Sequence, residues 1–177
     1  MSILKVARMG HPVLRARTRP VETAAIRSQK IQQLIDDMFE TMREYQGIGL
    51  AGPQVHSSVR LFVAGIDGDE EPLPLVAIVN PEITPIGSAI VEDWEGCLSI
   101  PDVRGKVPRA KDVKIRGLDR HGKRLEMTLR GFPARVVQHE TDHLDGILFP
   151  DRMTSLETLT FLDEFSRFWS EERVAPE

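Results

Sequence analysis

His139 and His143 stand four residues apart, with Glu140 directly after the first, in the run Val136-Val137-Gln138-His139-Glu140-Thr141-Asp142-His143-Leu144. Residues i and i+4 of a helix share a face, so both imidazoles can reach one metal ion while the carboxylate points toward the same centre. Imidazoles are metal ligands, an open coordination position admits water, and a nearby glutamate can take that water's proton. Together they can carry out hydrolysis. The plain alternative is a surface helix that happens to carry His, Glu and His. The flanks argue against it: Gly131-Phe132-Pro133-Ala134-Arg135 supplies a glycine break and a proline in a first helical turn, so a helix is predicted from near Phe132. Phe132, Val136, Val137, Leu144 and Ile147, with Gly146 as a C-terminal stop, describe a largely buried helix. Two histidines and a glutamate buried there without partners are costly, and a metal ion removes that cost.

Cys97 is the only cysteine, so no intramolecular disulfide forms. Core filler, nucleophile and metal ligand all stay open for it. Its setting, Glu95-Gly96-Cys97-Leu98-Ser99, follows the acidic pair Glu92-Asp93 and includes a glycine that lets the backbone approach something closely.

These groups need elements to position them. Residues 28–46 read as an amphipathic helix capped by Ser28, with Ile31, Leu34, Ile35, Met38 and Met42 at helical spacing as core. Gly47-Ile48-Gly49-Leu50-Ala51-Gly52-Pro53-Gln54 follows, three glycines where the backbone turns or approaches a ligand. It lacks the lysine and hydroxyl residue of a phosphate loop. Between Arg60 and Arg130, β-prone runs at Leu61–Ala64, Leu75–Val79, Glu82–Pro85, Ala89–Val91, Val113–Leu118 and Leu125–Leu129 are separated by turn residues, among them Asp67-Gly68 and His121-Gly122. The expected fold is α+β: antiparallel or mixed sheets packed around a central His139 helix, with an N-terminal and a C-terminal helix. The last helix is expected over 155–170, burying Leu156, Leu159, Phe161, Leu162, Phe165 and Phe168, with a frayed tail over 171–177.

At 177 residues, 41% hydrophobic and 28% charged, the chain is expected to form one domain, 1–177. A net charge of −4 gives no reason to expect specific nucleic-acid binding, and the basic stretch from Arg104 to Arg130 reads as the solvated face of strands. No apolar run approaches a membrane span, and residues 1–21, though basic and free of acidic residues, are too poor in serine for a transit peptide. The expected location is the bacterial cytoplasm, ahead of an organelle.

Three blocks in this order, GIGLAGPQ at 47–54, EGCLS at 95–99 and HETDH at 139–143, together with IPDVRGKVPRA after the second, resemble the three motifs of the peptide deformylase family. The resemblance covers roughly residues 3–152. It implies a single divalent metal held by Cys97, His139 and His143, physiologically Fe(II), with Zn(II), Ni(II) or Co(II) able to substitute. Glu140 takes the part of general acid and base, and the Gln54 side chain and Leu98 backbone N–H that of oxyanion donors. The implied reaction removes the N-formyl group from N-formylmethionyl peptides and nascent chains, releasing formate. Thiolate and imidazole donors with one position left open agree with a catalytic rather than a closed site, though such donors suit iron and zinc alike.

Ile48 and Gly49 are expected to offer backbone groups to an extended peptide by strand addition, and Ile48, Phe132 and Val136 are the candidates for an apolar methionine pocket. Plain core is the other reading of those side chains, and a solvent-exposed loop amide that of Gln54. A Glu95–Arg109 ion pair is expected to hold the Cys97 loop, worth under about 1 kcal/mol if at the surface, and Arg104 to line the cleft. Gly52 stands where the family often has alanine and Pro53 where it varies, which puts the stiffness of that loop in question. From Ser155 onward, acidic Glu157, Asp163, Glu164, Glu171, Glu172 and Glu177 outnumber Arg167 and Arg173, so any transient ribosome association is expected not to use a basic C-terminal helix. The rival function is a zinc endopeptidase of the HExxH type, its third ligand drawn from Asp151, Glu157 or Glu164. It leaves Cys97 and the glycine block unexplained.

Overall fold

The structure is a computed structural model and describes residues 2–67 and 72–170. Gly68 of the expected turn and the tail 171–177 lie outside them. Helix α1 (Gln29–Glu44) starts at Ser28, whose hydroxyl accepts the Ile31 N–H, and buries Ile31, Ile35, Met38 and Met42, as its spacing requires. Strands β1 (Gly49–Ala51), β2 (Leu61–Ile66), β3 (Leu73–Pro85), β6 (Asp112–Leu118) and β7 (Arg124–Arg130) make a five-stranded sheet in the order β1-β2-β3-β6-β7. β4 (Ile90–Cys97), β5 (Ile100–Ala110) and the short β8 (Thr160–Phe161) make a second sheet in the order β4-β5-β8. The strand pairings within both are antiparallel.

Successive residues of a strand point to opposite faces. Leu61 and Val63 of β2 accordingly join the core beneath α1, whereas Phe62 and Ala64 join the one beneath helix α2 (Gly131–Leu144). The larger sheet is thus covered on both faces, which explains why β2 reads as a continuous apolar run rather than an alternating one. α2 also packs against β5 of the smaller sheet and so spans the two. A third core, with Leu14, Val107, Leu148 and Phe149, takes in Cys97.

Three expectations are corrected. The runs 75–79 and 82–85 belong to one strand, β3, interrupted by a register shift between Val79 and Glu82. There Asn80 adopts φ 53° and its side-chain amide bridges the Val21 N–H and carbonyl at 2.8 Å each. The 89–91 run is the start of a longer hairpin, because β5 was hidden by its prolines and by Asp102 at φ 60°. The last helix does not run over 155–170: Leu156–Thr158 forms a 3-10 turn, Thr160–Phe161 adds to β5, and only Leu162–Phe168 (α3) is helical. Leu156, Leu159, Phe161 and Phe168 are exposed rather than buried. The segment gains β5 backbone hydrogen bonds that an uninterrupted helix forgoes, and α3 docks by placing Phe165 edge-on to Trp94, at 4.9 Å between ring centroids.

Candidate active site

Cys97 ends β4, and the two-residue turn Leu98-Ser99 leads into β5, with Cys97 paired to Ile100. The thiol is thereby carried from the smaller sheet toward α2, where His139 and His143 face it one turn apart. One donor atom from each of Cys97, His139 and His143 lies within 4.8 Å of the other two, and Cys97 Sγ is 3.2 Å from His143 Nε2. Nδ1 of His139 is taken up by Glu95 Oε2 at 2.9 Å, which leaves Nε2 for an ion. Nδ1 of His143 is buried with no partner among the described residues. The donor set fits a divalent ion with an open position: among the described residues one soft thiolate and two imidazoles converge without a fourth protein ligand, and Glu140 Oε2 is buried beside them with no hydrogen bond.

The electrostatics agree. Burial pushes the Cys97 thiol up, but the charge of His143 and hydrogen bonds from both imidazoles hold it well below the usual thiol range. Burial, reinforced by the charges of Cys97 and Glu95 and only partly offset by the histidines, pushes the Glu140 carboxyl up to about 7, suited to a group that takes and returns a proton near neutrality.

The three sequence blocks meet pairwise in space. A Cβ on Gly49 would fall 2.3 Å from Glu140 Oε1, so the glycine is what lets β1 lie against that carboxylate. A Cβ on Gly47 would come 2.9 Å from Leu98 Cδ1. Gln54 is 1% exposed and not a solvent-facing loop amide. Its Oε1 accepts the Ala51 N–H at 2.8 Å, which turns its NH2 toward Cys97 Sγ at 3.5 Å and Ser99 Oγ at 3.3 Å. Gly52 opens the 3-10 turn Gly52–Val55 that carries Gln54; alanine there would press within 2.8 Å of the Val59 carbonyl, so this chain's departure from alanine is built into the loop.

A cleft of about 860 Å³ opens over the site. Ile48, Gly49, Leu98, Phe132 and Val136 all line it, as does Arg104, whose guanidinium lies over Gly96. Phe132 and Ile48 are exposed, 43% and 40%, which corrects the inclusion of Phe132 among the buried helix positions: its ring faces the cleft. Val136 is buried at the cleft wall. β1 is the outer strand of its sheet and leaves one edge without a partner strand among the described residues.

The Glu95–Arg109 pair is not a surface pair. Both side chains are buried, Arg109 Nε and Nη2 donate to the two carboxylate oxygens at 2.8 and 3.0 Å, and Arg109 Nη1 continues to Asp142 at 2.5 Å. Burial opposes the charge on Glu95, yet hydrogen bonds and charge from His139 and Arg109 hold its carboxyl well below the usual range. Sequence reasoning missed Arg135, which also donates to Glu95, and Asp142, which joins Arg109 to Arg152. The available signal was a charged residue four positions before His139 on an otherwise apolar helix face. The carboxylates proposed as an endopeptidase third ligand lie elsewhere: Asp151 pairs with Arg15, Glu164 with Arg167, and Glu157 is exposed.

A family model described as polypeptide deformylase matches residues 3–159. Peptide deformylase 1 of Prochlorococcus marinus is 42% identical over 170 residues, covering 93% of this chain and 88% of that protein. Among solved structures, the class I type b peptide deformylase from Acinetobacter baumannii bound to Met-Ala-Ser is similar with a TM-score of 0.81 and 41% identity, covering 85% of this chain and 98% of that one. The peptide deformylase from Thermotoga maritima is similar with a TM-score of 0.76 and 38% identity, covering 86% and 99%.

Proposed function

The chain belongs to the polypeptide deformylase family, whose members remove the N-formyl group from formylmethionyl peptides, and from that membership we propose how this chain's own residues perform the reaction. Cys97, His139 and His143 hold one divalent ion, Fe(II) physiologically, with Zn(II), Ni(II) or Co(II) able to take its place. Such an ion, when bound, supplies Lewis acidity toward the formyl oxygen and lowers the pKa of water to about 7. Glu140 accepts a proton from the attacking water as its oxygen bonds to the formyl carbon. The side-chain amide of Gln54 and the backbone N–H of Leu98 donate to the oxygen that gains charge. Glu140 then delivers its proton to the amide nitrogen as the C–N bond breaks, releasing formate and a free amine.

Substrate binding follows from the same cleft. The Acinetobacter relative is solved with Met-Ala-Ser bound, and for this chain we propose that an extended peptide adds along the open edge of β1 at Gly49 and the preceding Ile48, with its methionine side chain against Ile48, Phe132 and Val136. Residues 1–177 act as one catalytic domain in the bacterial cytoplasm on nascent chains. Contact with the ribosome, where it occurs, does not use a basic C-terminal helix, since α3 opens with Asp163 and Glu164. No helix among the described residues is long and apolar enough to cross a membrane.

The convergence of the Cys97, His139 and His143 donor atoms within 4.8 Å beside Glu140 is the observation that carries this reading. Protein loaded anaerobically with Fe(II) is expected to release formate from formyl-Met-Ala-Ser, and Cys97→Ala to lose its metal. Absence of formate at one bound equivalent of metal would sink the reading; metal retained by Cys97→Ala would favour the endopeptidase.

A further inference from the structure

The two halves of the ligand set come from different elements: the thiol from the end of β4, the imidazoles from α2. Something must fix the distance between them. Glu95 is two residues before Cys97, and its carboxylate reaches α2 at two successive turns. Oε2 receives His139 Nδ1 at 2.9 Å, and Oε1 receives Arg135 Nη1 at 2.9 Å. Arg135 and His139 are i and i+4, on one face of the helix. Arg135 does not stop at the carboxylate. Nη1 also donates to the Val107 carbonyl of β5 at 2.7 Å and the Asp93 carbonyl of β4 at 3.3 Å, and Nη2 donates to the Val91 carbonyl of β4 at 2.7 Å. The side chain is 6% exposed, so these contacts are made out of water by a planar fork that a single ammonium cannot reproduce.

We propose that Arg135 is a positioning residue for the metal centre: by tying the Glu95 carboxylate and the β4–β5 hairpin to α2 one turn before His139, it sets the separation of the Cys97 sulfur from the two imidazoles. A purely structural guanidinium, covering edge carbonyls of β4, would be needed for stability alone. Arg109 serves Glu95 from within the smaller sheet, where it sits on β5, and reaches α2 only through Asp142. Among the described residues, Arg135 is the α2 arginine that contacts Glu95 directly, one turn before the ligand His139 on the same carboxylate. Because Arg109 stays bidentate on Glu95 when Arg135 is removed, the carboxylate keeps partners and the centre loosens rather than being abolished.

The inference rests on the proposed ligand set and is tested without turnover. Co(II) is titrated into metal-free wild type, Arg135→Met and Arg135→Lys, and the visible absorption of bound cobalt and the dissociation constant are read, with circular dichroism and thermal melts alongside. Arg135→Met is expected to bind Co(II) about 10-fold more weakly, the low end of the scale for losing a group outside the ligands because Arg135 acts on His139 through Glu95, with an altered absorption band. Arg135→Lys, which keeps one donor to Glu95 but loses the fork, is expected to fall between. A folded Arg135→Met with wild-type affinity and spectrum overturns the proposal. Should that variant not fold, a folded Arg135→Lys with wild-type affinity and spectrum overturns it equally. Wild type that fails to take up one equivalent of Co(II) overturns the ligand set itself, which separates the two failures.

Discussion

Two side chains carry the sharpest consequences at the scale of single residues. Gln54 is buried and oriented by the Ala51 N–H, with its NH2 turned toward Cys97 Sγ and Ser99 Oγ, and its role as an oxyanion donor is the proposal to test. Losing one such donor costs about 3 kcal/mol of barrier. Gln54→Ala is therefore expected to lower kcat on formyl-Met-Ala-Ser by roughly 100-fold while circular dichroism and metal content stay as in wild type; a KM effect with kcat intact would remove Gln54 from the oxyanion site. Gly49 makes the converse point. Its missing Cβ is the space that Glu140 Oε1 occupies, 2.3 Å from where a methyl would sit. Gly49→Ala is expected to shift the carboxylate by on the order of 1 Å and cost about 100-fold in turnover with one equivalent of metal retained. Both residues were legible in the sequence as types, an amide and a glycine in a dense glycine block. Which atom each one meets was not.

Local pattern and tertiary context divided the work at the scale of elements. α1 and α2 carry strong 3.6-residue periodicity and end near where their caps and glycines place them; Gly146, at φ 76°, closes α2. The segment after Ser155 also carries helical periodicity, yet it spends Thr160 and Phe161 on pairing with Val103 and Arg104 of β5. An unsatisfied strand edge competes with a short helix whose propensity is weak, and no window of sequence contains that edge. The energetic consequence is a contrast between two apolar positions. Phe149 is fully buried in the core that contains Cys97, and Phe149→Ala is expected to cost about 3–5 kcal/mol, a melting-temperature drop of about 10 °C in a chain of this size. Leu156, at 68% exposure, is expected to tolerate serine with a shift under about 2 °C. Equal drops in parallel thermal melts would mean that the C-terminal segment packs as the periodicity, not the structure, has it.

At the scale of the whole molecule, the described residues form two antiparallel sheets joined by α2, and the joint is a buried network of charge. Glu95 receives Arg109, Arg135 and His139, while Asp142 receives Arg109 and Arg152. Breaking a buried pair leaves an uncompensated charge, which makes such a network costly to open. Because the carboxyl of Glu95 is lowered in the folded state from its ordinary 4.5, the stability it contributes is present in full above that value and is lost as pH falls toward the folded value. Wild type is therefore expected to be more stable than Glu95→Gln at neutral pH, with the gap closing in melts taken below about pH 4.5. A gap that holds constant down to about pH 3 would place the acid sensitivity in other carboxylates.

The sequence by itself determined the chemistry: a thiol, two imidazoles at i and i+4, a carboxylate beside the first and an amide in a glycine block, together with the α+β class and the main helices. These are properties of residue type and of spacing within single elements, and a linear string carries them without loss. Only the tertiary structure decided which atoms meet. Leu98 and Ser99 make the turn that carries Cys97 to α2, Glu95 lies inside rather than at the surface, Arg135 faces the same carboxylate as His139, and a strand edge unwinds half of the last helix. Each of those outcomes depends on segments tens of residues apart, where desolvation and competition for backbone partners outweigh local preference.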